Sequence, residues 1–176
     1  MVKAEILPVN QFDHFYAGGS RIGTLRHGPG GPMRPEEWIG SITTRFGEIS
    51  QGLSKLSSGE LLRDEISNNP IKWLGEEHFE SFGTSIEILI KLLDPEQRLP
   101  VHFHPNKKFA KEHLSLNHGK TEAWVILEAP KGAGVGLGFK KEMDPKVIAG
   151  WVANQNHQAL LDSLRSEEHT SELQSH

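Results

Sequence analysis

The apolar run Ile86–Leu93 (IEILIKLL) is the feature that most constrains how this chain folds. It is nearly continuous, as in a strand that is covered on both faces, and the chain turns directly after it at Asp94-Pro95. Shorter apolar segments follow at Leu99–Phe103, Thr121–Leu127 and Val135–Phe139. Short strands separated by turns rich in glycine and proline predict an all-β barrel or sandwich, and periodicity alone does not distinguish the two.

Helical excursions interrupt this pattern. The segment Gly59–Ser67 carries apolar residues at helical spacing after two serines, which predicts a short helix. Asp144 followed by proline is a specific helix start, and it predicts a helical region that reaches Leu164 with a break near Asn154. Two further short elements are predicted, a helical turn over Phe109–Leu114 and a strand over Arg21–Arg26.

Composition is that of a globular protein of one domain or slightly more. The chain has 176 residues, of which 36% are hydrophobic and 24% charged. It has no cysteine, which excludes disulfides, thiolate metal sites and cysteine nucleophiles. The net charge of −4 does not indicate nucleic-acid binding, which typically requires a strongly basic surface. No apolar run approaches the ~18 residues of a membrane span, and the start lacks a signal-peptide core, so we expect a cytoplasmic protein of unspecified oligomeric state.

The end of the chain differs in character from the rest. Arg165–His176 (RSEEHTSELQSH) matches, residue for residue, the conceptual translation of a widely used DNA-sequencing adapter. We therefore expect residues 1–164 to be the N-terminal part of a larger domain and residues 165–176 to be a non-native tail. A disordered polar C-terminus is the alternative interpretation.

The segment Leu99–Leu127 carries the residues best suited to chemistry. His102 and His104 are one residue apart, so an extended backbone turns both imidazoles to one face. Glu122 begins the next apolar run, where an unpaired carboxylate would be costly to bury. Two imidazoles and one carboxylate are three of the ligands that a divalent ion such as zinc requires. The alternative is two surface histidines on an edge strand, with Glu122 either at a solvated strand start or paired with Lys120.

Lys120 precedes Glu122 by two residues and would project to the same side of an extended segment. Beside a metal its ammonium could bind a substrate oxyanion or move a proton, whereas without a metal it would be an ordinary exposed lysine. His113 and His118 are expected to be surface or lid residues. His157 is the first alternative if a further ligand has to come from this chain.

These motifs resemble the type I mannose-6-phosphate isomerases of the cupin superfamily. The resemblance is most specific in VHFHP at Val101–Pro105 and GKTEAWVIL at Gly119–Leu127, and it extends to PEEWIGS at Pro35–Ser41 and IKLLD at Ile90–Asp94. It implies a mainly β, cupin-type jelly-roll barrel that holds one zinc ion. The ligands implied within this chain are His102, His104 and Glu122, with Lys120 near the substrate. His102 stands where many members carry glutamine, which is a reasonable exchange of ligand.

The resemblance implies a metal-dependent isomerase that interconverts mannose 6-phosphate and fructose 6-phosphate, so the expected partner is a small phosphorylated sugar. It also implies a later histidine ligand beyond Leu164. The barrel would then be incomplete and this chain inactive or nearly so. Zn²⁺ is the expected ion, with iron and manganese left open. The alternatives are an iron-dependent cupin oxygenase and a non-catalytic cupin that binds a sugar phosphate.

Overall fold

The chain consists of two compact units, which are described separately. The first unit ends at Leu99 and the second begins at Pro100. A computed structural model of the protein describes residues 4–168. The elements of the first unit are α1 (Arg21–Arg26), β1 (Glu36–Ile39), α2 (Leu62–Asn68), α3 (Pro70–Leu74), α4 (Glu76–Phe82) and β2 (Ile90–Leu93). Those of the second are α5 (Lys107–Leu114), β3 (Gly134–Phe139), α6 (Pro145–Ala153), α7 (His157–Ser163) and β4 (Leu164–Glu168).

The first unit is built around an antiparallel pair of strands. β1 pairs with β2 so that Glu36 lies opposite Leu93 and Ile39 lies opposite Ile90. Only the second half of the apolar run Ile86–Leu93 is therefore a strand. The strand pair is short because each strand has only four residues.

An apolar cluster and a buried polar network hold the first unit together. Leu56, Leu62 and Ile66 form the cluster, and the partly buried side chains packed against it are those of Leu7, Ile42, Trp73, Leu74 and Ile86. Glu37 on β1 is fully buried, and Arg26 Nε donates to both of its carboxylate oxygens at 3.0 and 3.1 Å. A buried charge needs such a partner to offset its lost hydration.

The predicted strand over Arg21–Arg26 is wrong, since these residues form α1. The backbone N–H of Arg21 donates to Asp94 Oδ2 at 2.8 Å, and its guanidinium donates to Oδ1 at 3.0 Å. At the other end His27 adopts a left-handed conformation, with φ of 52°, and its N–H donates to the carbonyl of Gly23. Tertiary contacts to Asp94 thus favour a helix in a segment whose local pattern did not specify one.

The second unit contains three helices and one strand pair among its described residues. Asp144 caps α6 by accepting a hydrogen bond from the N–H of Lys146 at 2.8 Å, so the predicted helix start is confirmed. The predicted break near Asn154 separates α6 from α7. β3 pairs antiparallel with β4, with Phe139 opposite Leu164.

The mainly β jelly-roll barrel is not confirmed. The described residues contain two separate two-stranded antiparallel sheets and no closed barrel, and helices outnumber strands. Leu99–Phe103 and Thr121–Leu127 lie outside the named strands of residues 4–168. A strand exists only where its backbone finds a pairing partner, and β4 uses residues 164–168 to pair with β3.

The expected non-native tail and the expected cytoplasmic location can be compared with the structure only over the described residues. The first residues of the expected non-native tail belong to β4, whereas His169–His176 lie outside the described part of the chain. Within the described part, no helix combines the length and apolarity needed to cross a membrane. The cytoplasmic location stays a prediction.

Candidate metal centre

Helix α5 and its flanking turns position the site residues of the second unit. His102 and His104 precede α5, and Lys120 and Glu122 follow it. Asn106 begins the helix, because its side chain accepts a hydrogen bond from the N–H of Phe109 at 2.8 Å. Asparagine is a favoured N-cap, so this start is encoded locally.

After α5 the chain returns to the segment that precedes the helix. Ser115 ends the helix in a left-handed conformation with φ of 55°. The backbone N–H of Lys120 then donates to the carbonyl of Pro105 at 3.0 Å. This hydrogen bond closes the loop, and it brings the residues after Gly119 beside His104.

His104, Glu122 and Lys120 are in direct contact. His104 Nε2 lies 2.8 Å from Glu122 Oε2, a hydrogen bond in which the ring N–H donates to the carboxylate. Lys120 Nζ lies 2.9 Å from the other oxygen, Glu122 Oε1, and 3.5 Å from His104 Nε2. The side chains of His104 and Glu122 are about a quarter exposed, at 25% and 29%, so solutes can still reach them.

His102 stands beside His104 with its ring edge-on. The two ring centroids are 4.9 Å apart and the ring planes are inclined by 64°. His102 Nδ1 lies 2.7 Å from the carbonyl oxygen of Pro100, which can only accept, so Nδ1 carries the proton. That tautomer leaves the Nε2 lone pair as the donor for a metal, an arrangement common among metal-bound histidines.

The carboxylate of Glu122 is held in its ionised form. Partial burial acts to raise the pKa of Glu122, but the hydrogen bond and positive charge of Lys120, with a smaller contribution from His104, outweigh it. The net pKa lies below the ordinary value of 4.5. A carboxylate that is ionised at neutral pH is the form that binds a cation.

The three residues fit a divalent metal in both chemistry and position. One ligand atom from each of His102, His104 and Glu122 can be chosen so that all lie within 4.8 Å of one another. Bonds of about 2.0–2.2 Å to a tetrahedral ion would bring such atoms to about 3.4 Å. The widest-spaced ligand atoms would therefore approach each other by up to roughly 1.4 Å around such an ion, and the direct hydrogen bond between His104 and Glu122 would open.

The structure thus brings together all four residues that the sequence singled out. Among residues 4–168, the group of ligand atoms does not include His113, His118 or His157. Two backbone groups that matter here, the carbonyls of Pro100 and Pro105, escaped sequence reasoning. Backbone acceptors are present at every residue, so the sequence holds no signal for them.

Comparison with known proteins places this segment in a family. The family model described as "Phosphomannose isomerase type I, catalytic domain" matches residues 36–132, a stretch that contains all four site residues. The chain is 36% identical over 89 residues to a mannose-6-phosphate isomerase of Streptococcus mutans, which is 46% of this chain and 28% of that protein. It is 38% identical over 85 residues to the mannose-6-phosphate isomerase ManA of Bacillus subtilis, which is 44% of this chain and 27% of that protein.

A third relative is the probable mannose-6-phosphate isomerase GmuF of Bacillus subtilis, 29% identical over 109 residues, or 57% of this chain and 33% of that protein. No solved structure matches the chain significantly. The matched part thus spans about a third or less of the length of these relatives.

The family match covers more than half of the chain. The chain belongs to the type I phosphomannose isomerase family, and the predicted resemblance is confirmed.

Proposed function

We propose that this chain carries part of the metal centre of an aldose–ketose isomerase that interconverts mannose 6-phosphate and fructose 6-phosphate. The observation that supports the proposal best is the grouping of His102, His104 and Glu122 within 4.8 Å, inside the segment matched by the family's catalytic domain. The relatives of this chain are mannose-6-phosphate isomerases, which supports the choice of reaction.

Each residue has a separate role in this proposal. The imidazoles of His102 and His104 and the carboxylate of Glu122 hold one divalent ion, and zinc suits this set of nitrogen and oxygen donors. Such an ion, when bound, polarises the carbonyl and hydroxyl oxygens at C1 and C2 of the sugar. Lys120 presents its ammonium 2.9 Å from Glu122, where it can also bind a substrate oxyanion.

The reaction needs no external oxidant or reductant. A base takes the proton from the carbon that bears the hydroxyl group and returns it to the neighbouring carbon. A second proton moves from the hydroxyl oxygen to the former carbonyl oxygen, so that carbonyl and hydroxyl exchange places through an enediol or enediolate. Lys120 stabilises the negative oxygen of that species by charge and hydrogen bonding. Its role is therefore to bind the reacting oxygens, while the three ligand residues fix the position of the ion.

We also propose that residues 165–176 are not native, from the likeness of Arg165–His176 to translated adapter sequence. On this proposal the natural protein continues differently after Leu164, and the continuation supplies a further histidine ligand. The chain of 176 residues then offers three protein ligands to the metal and does not turn over the sugar phosphate.

Metal removal from the natural full-length protein tests the proposal. We expect exhaustive chelation, with metal content checked, to abolish interconversion of the two sugar phosphates, and Zn²⁺ to restore it. Activity that survives in the metal-free protein would overturn the metal-dependent mechanism. Oxygen consumption with bound iron and no isomerisation would instead support the oxygenase, and saturable sugar-phosphate binding without turnover would support the non-catalytic cupin.

A pair of matched variants in the full-length protein tests the residue assignment. Glu122→Gln removes a ligand charge and is expected to weaken Zn²⁺ binding by about 100-fold or more, beyond the loss typical of supporting residues. Glu112→Gln is the control, because Glu112 lies exposed on α5 and outside the ligand group. Equal Zn²⁺ affinity in the two variants, measured by calorimetry, would remove Glu122 from the ligand set.

A further inference from the structure

We propose that Gly119 is a positioning residue of the metal site, because its missing side chain sets the distance between His104 and Glu122. The inference rests on the proposed function, since it concerns the ligands of the proposed metal. Its basis is a close approach between two backbone segments of the second unit. Gly119 lies on one of them, and the turn Pro105–Lys107 lies on the other.

The approach leaves no room for a side chain at Gly119. A Cβ added there would lie 2.7 Å from the carbonyl oxygen of Pro105, 2.8 Å from the amide nitrogen of Lys107 and 2.9 Å from the carbonyl carbon of Asn106. Ordinary contacts of a Cβ begin at 3.4 Å. All three neighbours are backbone atoms, so none can move aside by changing a side-chain rotamer. Only glycine allows backbones to come this close.

The turn on the far side of the contact is fixed in place. The side chain of Asn106 caps α5 by accepting a hydrogen bond from the N–H of Phe109. The backbone carbonyl of Asn106 accepts a second hydrogen bond, from the N–H of Ala110, at 2.9 Å. Ala110 itself is completely buried. Strain from a methyl group at position 119 would therefore fall on the segment that contains Lys120 and Glu122, and not on the start of α5.

That segment carries one side of the site. Lys120 follows Gly119 directly and donates its backbone N–H to Pro105, whose preceding residue is His104. Glu122 lies three residues after Gly119 and contacts His104 at 2.8 Å. The close approach at Gly119 and the hydrogen bond at Lys120 thus join the two halves of the ligand set. To restore ordinary contact distances at a Cβ on residue 119, the two segments would have to separate by several tenths of an ångström, and this would move Glu122 relative to His104.

Zinc titration of the 176-residue chain tests the inference. We expect Gly119→Ala to raise the Kd for Zn²⁺ about 10-fold or more, the size of loss found when residues that orient ligands are changed. Gly150→Ala is the matched control, because Gly150 lies within α6 and a Cβ there would meet nothing within 4 Å. Its Kd is expected to stay within about twofold of the wild-type value, since alanine favours a helix interior.

Two readouts separate positioning from a general loss of stability. With Co²⁺ in place of zinc, Gly119→Ala is expected to change the visible absorption spectrum of the bound ion, which reports ligand geometry, while far-UV circular dichroism stays unchanged. In the metal-free wild-type chain, hydrogen exchange at the Lys120 amide is expected to be slow, because that N–H is bonded to Pro105. Gly119→Ala is expected to make it fast.

The outcomes are distinguishable. Equal Zn²⁺ affinity of wild type and Gly119→Ala would overturn the positioning role, as would a Lys120 amide that exchanges freely in the folded wild-type chain. The second result decides the inference even if Gly119→Ala does not fold. A third outcome is also possible: the wild-type chain binds no Zn²⁺, but its Lys120 amide exchanges slowly and Gly119→Ala makes that exchange fast. This outcome would contradict the proposed metal site and support the contact at Gly119.

Discussion

At the scale of single residues, Glu36 in the first unit shows how one carboxylate organises its surroundings. Trp38 Nε1 and Lys91 Nζ donate to Glu36 Oε2 at 2.7 and 2.9 Å, and the hydroxyl of Tyr16 donates to Oε1. Lys91 also lies over the ring of Trp38, 4.4 Å from its centroid. Because Trp38 and Lys91 lie opposite each other on β1 and β2, Glu36 links side chains of both strands.

Replacement of this carboxylate should cost stability in a pH-dependent way. Burial acts to raise the pKa of Glu36, but its hydrogen bonds and Lys91 outweigh burial and lower the pKa below the ordinary 4.5. A lowered folded-state pKa stabilises the protein above the unfolded pKa, and the effect is lost as pH falls through the folded value. We expect Glu36→Gln to cost about 2 kcal/mol at pH 7, from lost charge-assisted hydrogen bonds.

Urea unfolding of wild type and Glu36→Gln from pH 7 down to pH 3 would measure this effect. The difference in unfolding free energy should begin to shrink as pH falls below about 4.5, where the unfolded chain takes up a proton, and should be lost as pH falls through the lower folded-state pKa of Glu36. Tyr16→Phe serves for comparison and should cost about 1 kcal/mol, since it removes one of several donors. A difference that does not vary with pH would contradict the assigned pKa shift.

The identities of the site residues were the part of the site that the sequence predicted best. His102, His104, Glu122 and Lys120 were singled out by residue type, spacing and resemblance, and the structure brings them together. Their separation could not be predicted, because it depends on a backbone contact at Gly119 and on carbonyl groups that every residue possesses. The sequence indicated which groups are present but not how close they lie.

At the scale of elements, helix signals were more informative than strand signals. The caps at Asn106 and Asp144 are local, and both helices begin where such caps place them. β3 lies within one residue of the predicted Val135–Phe139. Thr121–Leu127 has the apolar pattern of a strand but is not one of the named strands among the described residues. Strand formation depends on a distant partner, which a local pattern cannot specify.

The loop between β1 and α2 gives an element-scale prediction about Gly52. Its φ is +103°, and a Cβ there would lie 2.8 Å from two ring carbons of Trp38 and 3.0 Å from the carbonyl oxygen of Thr43. Gly59 has a similar φ of +93° but nothing within 4 Å of an added Cβ. Both positions carry backbone strain for alanine, but only Gly52 adds a steric clash with β1.

The two substitutions should therefore differ in cost. We expect Gly59→Ala to lower the unfolding free energy by about 1–2 kcal/mol through backbone strain alone. Gly52→Ala should lower it by a further 1–3 kcal/mol or so, because the ring of Trp38 must move. Urea denaturation measures both costs, and near-UV circular dichroism reports the tryptophan environment. Equal costs, with unchanged near-UV spectra, would show that the loop does not pack against Trp38 in this way.

At the scale of the whole molecule, the family match and the compact units divide the chain differently. The match covers residues 36–132, while the boundary between the units falls after Leu99. The site residues therefore all belong to the second unit, whereas much of the matched sequence belongs to the first. The jelly-roll expectation came from the resemblance, and the described residues, with two separate strand pairs, form no closed barrel.

The last prediction concerns the natural continuation of the chain. If a further histidine follows Leu164, a protein that continues with its native sequence gains a fourth ligand and should bind Zn²⁺ at least about 10-fold more tightly than the 176-residue chain. A chain ending at Leu164 is the matched control for the tail. It loses the residues of β4 that follow Leu164, but it retains His102, His104 and Glu122, so its Zn²⁺ affinity should equal that of the 176-residue chain within about twofold.

Calorimetry with Zn²⁺ and a coupled assay for fructose 6-phosphate would compare the three proteins. Only the native continuation is expected to turn over substrate. Isomerase activity in the 176-residue chain would show that the three ligands suffice for catalysis, and equal zinc affinity in all three proteins would show that the native continuation contributes no ligand.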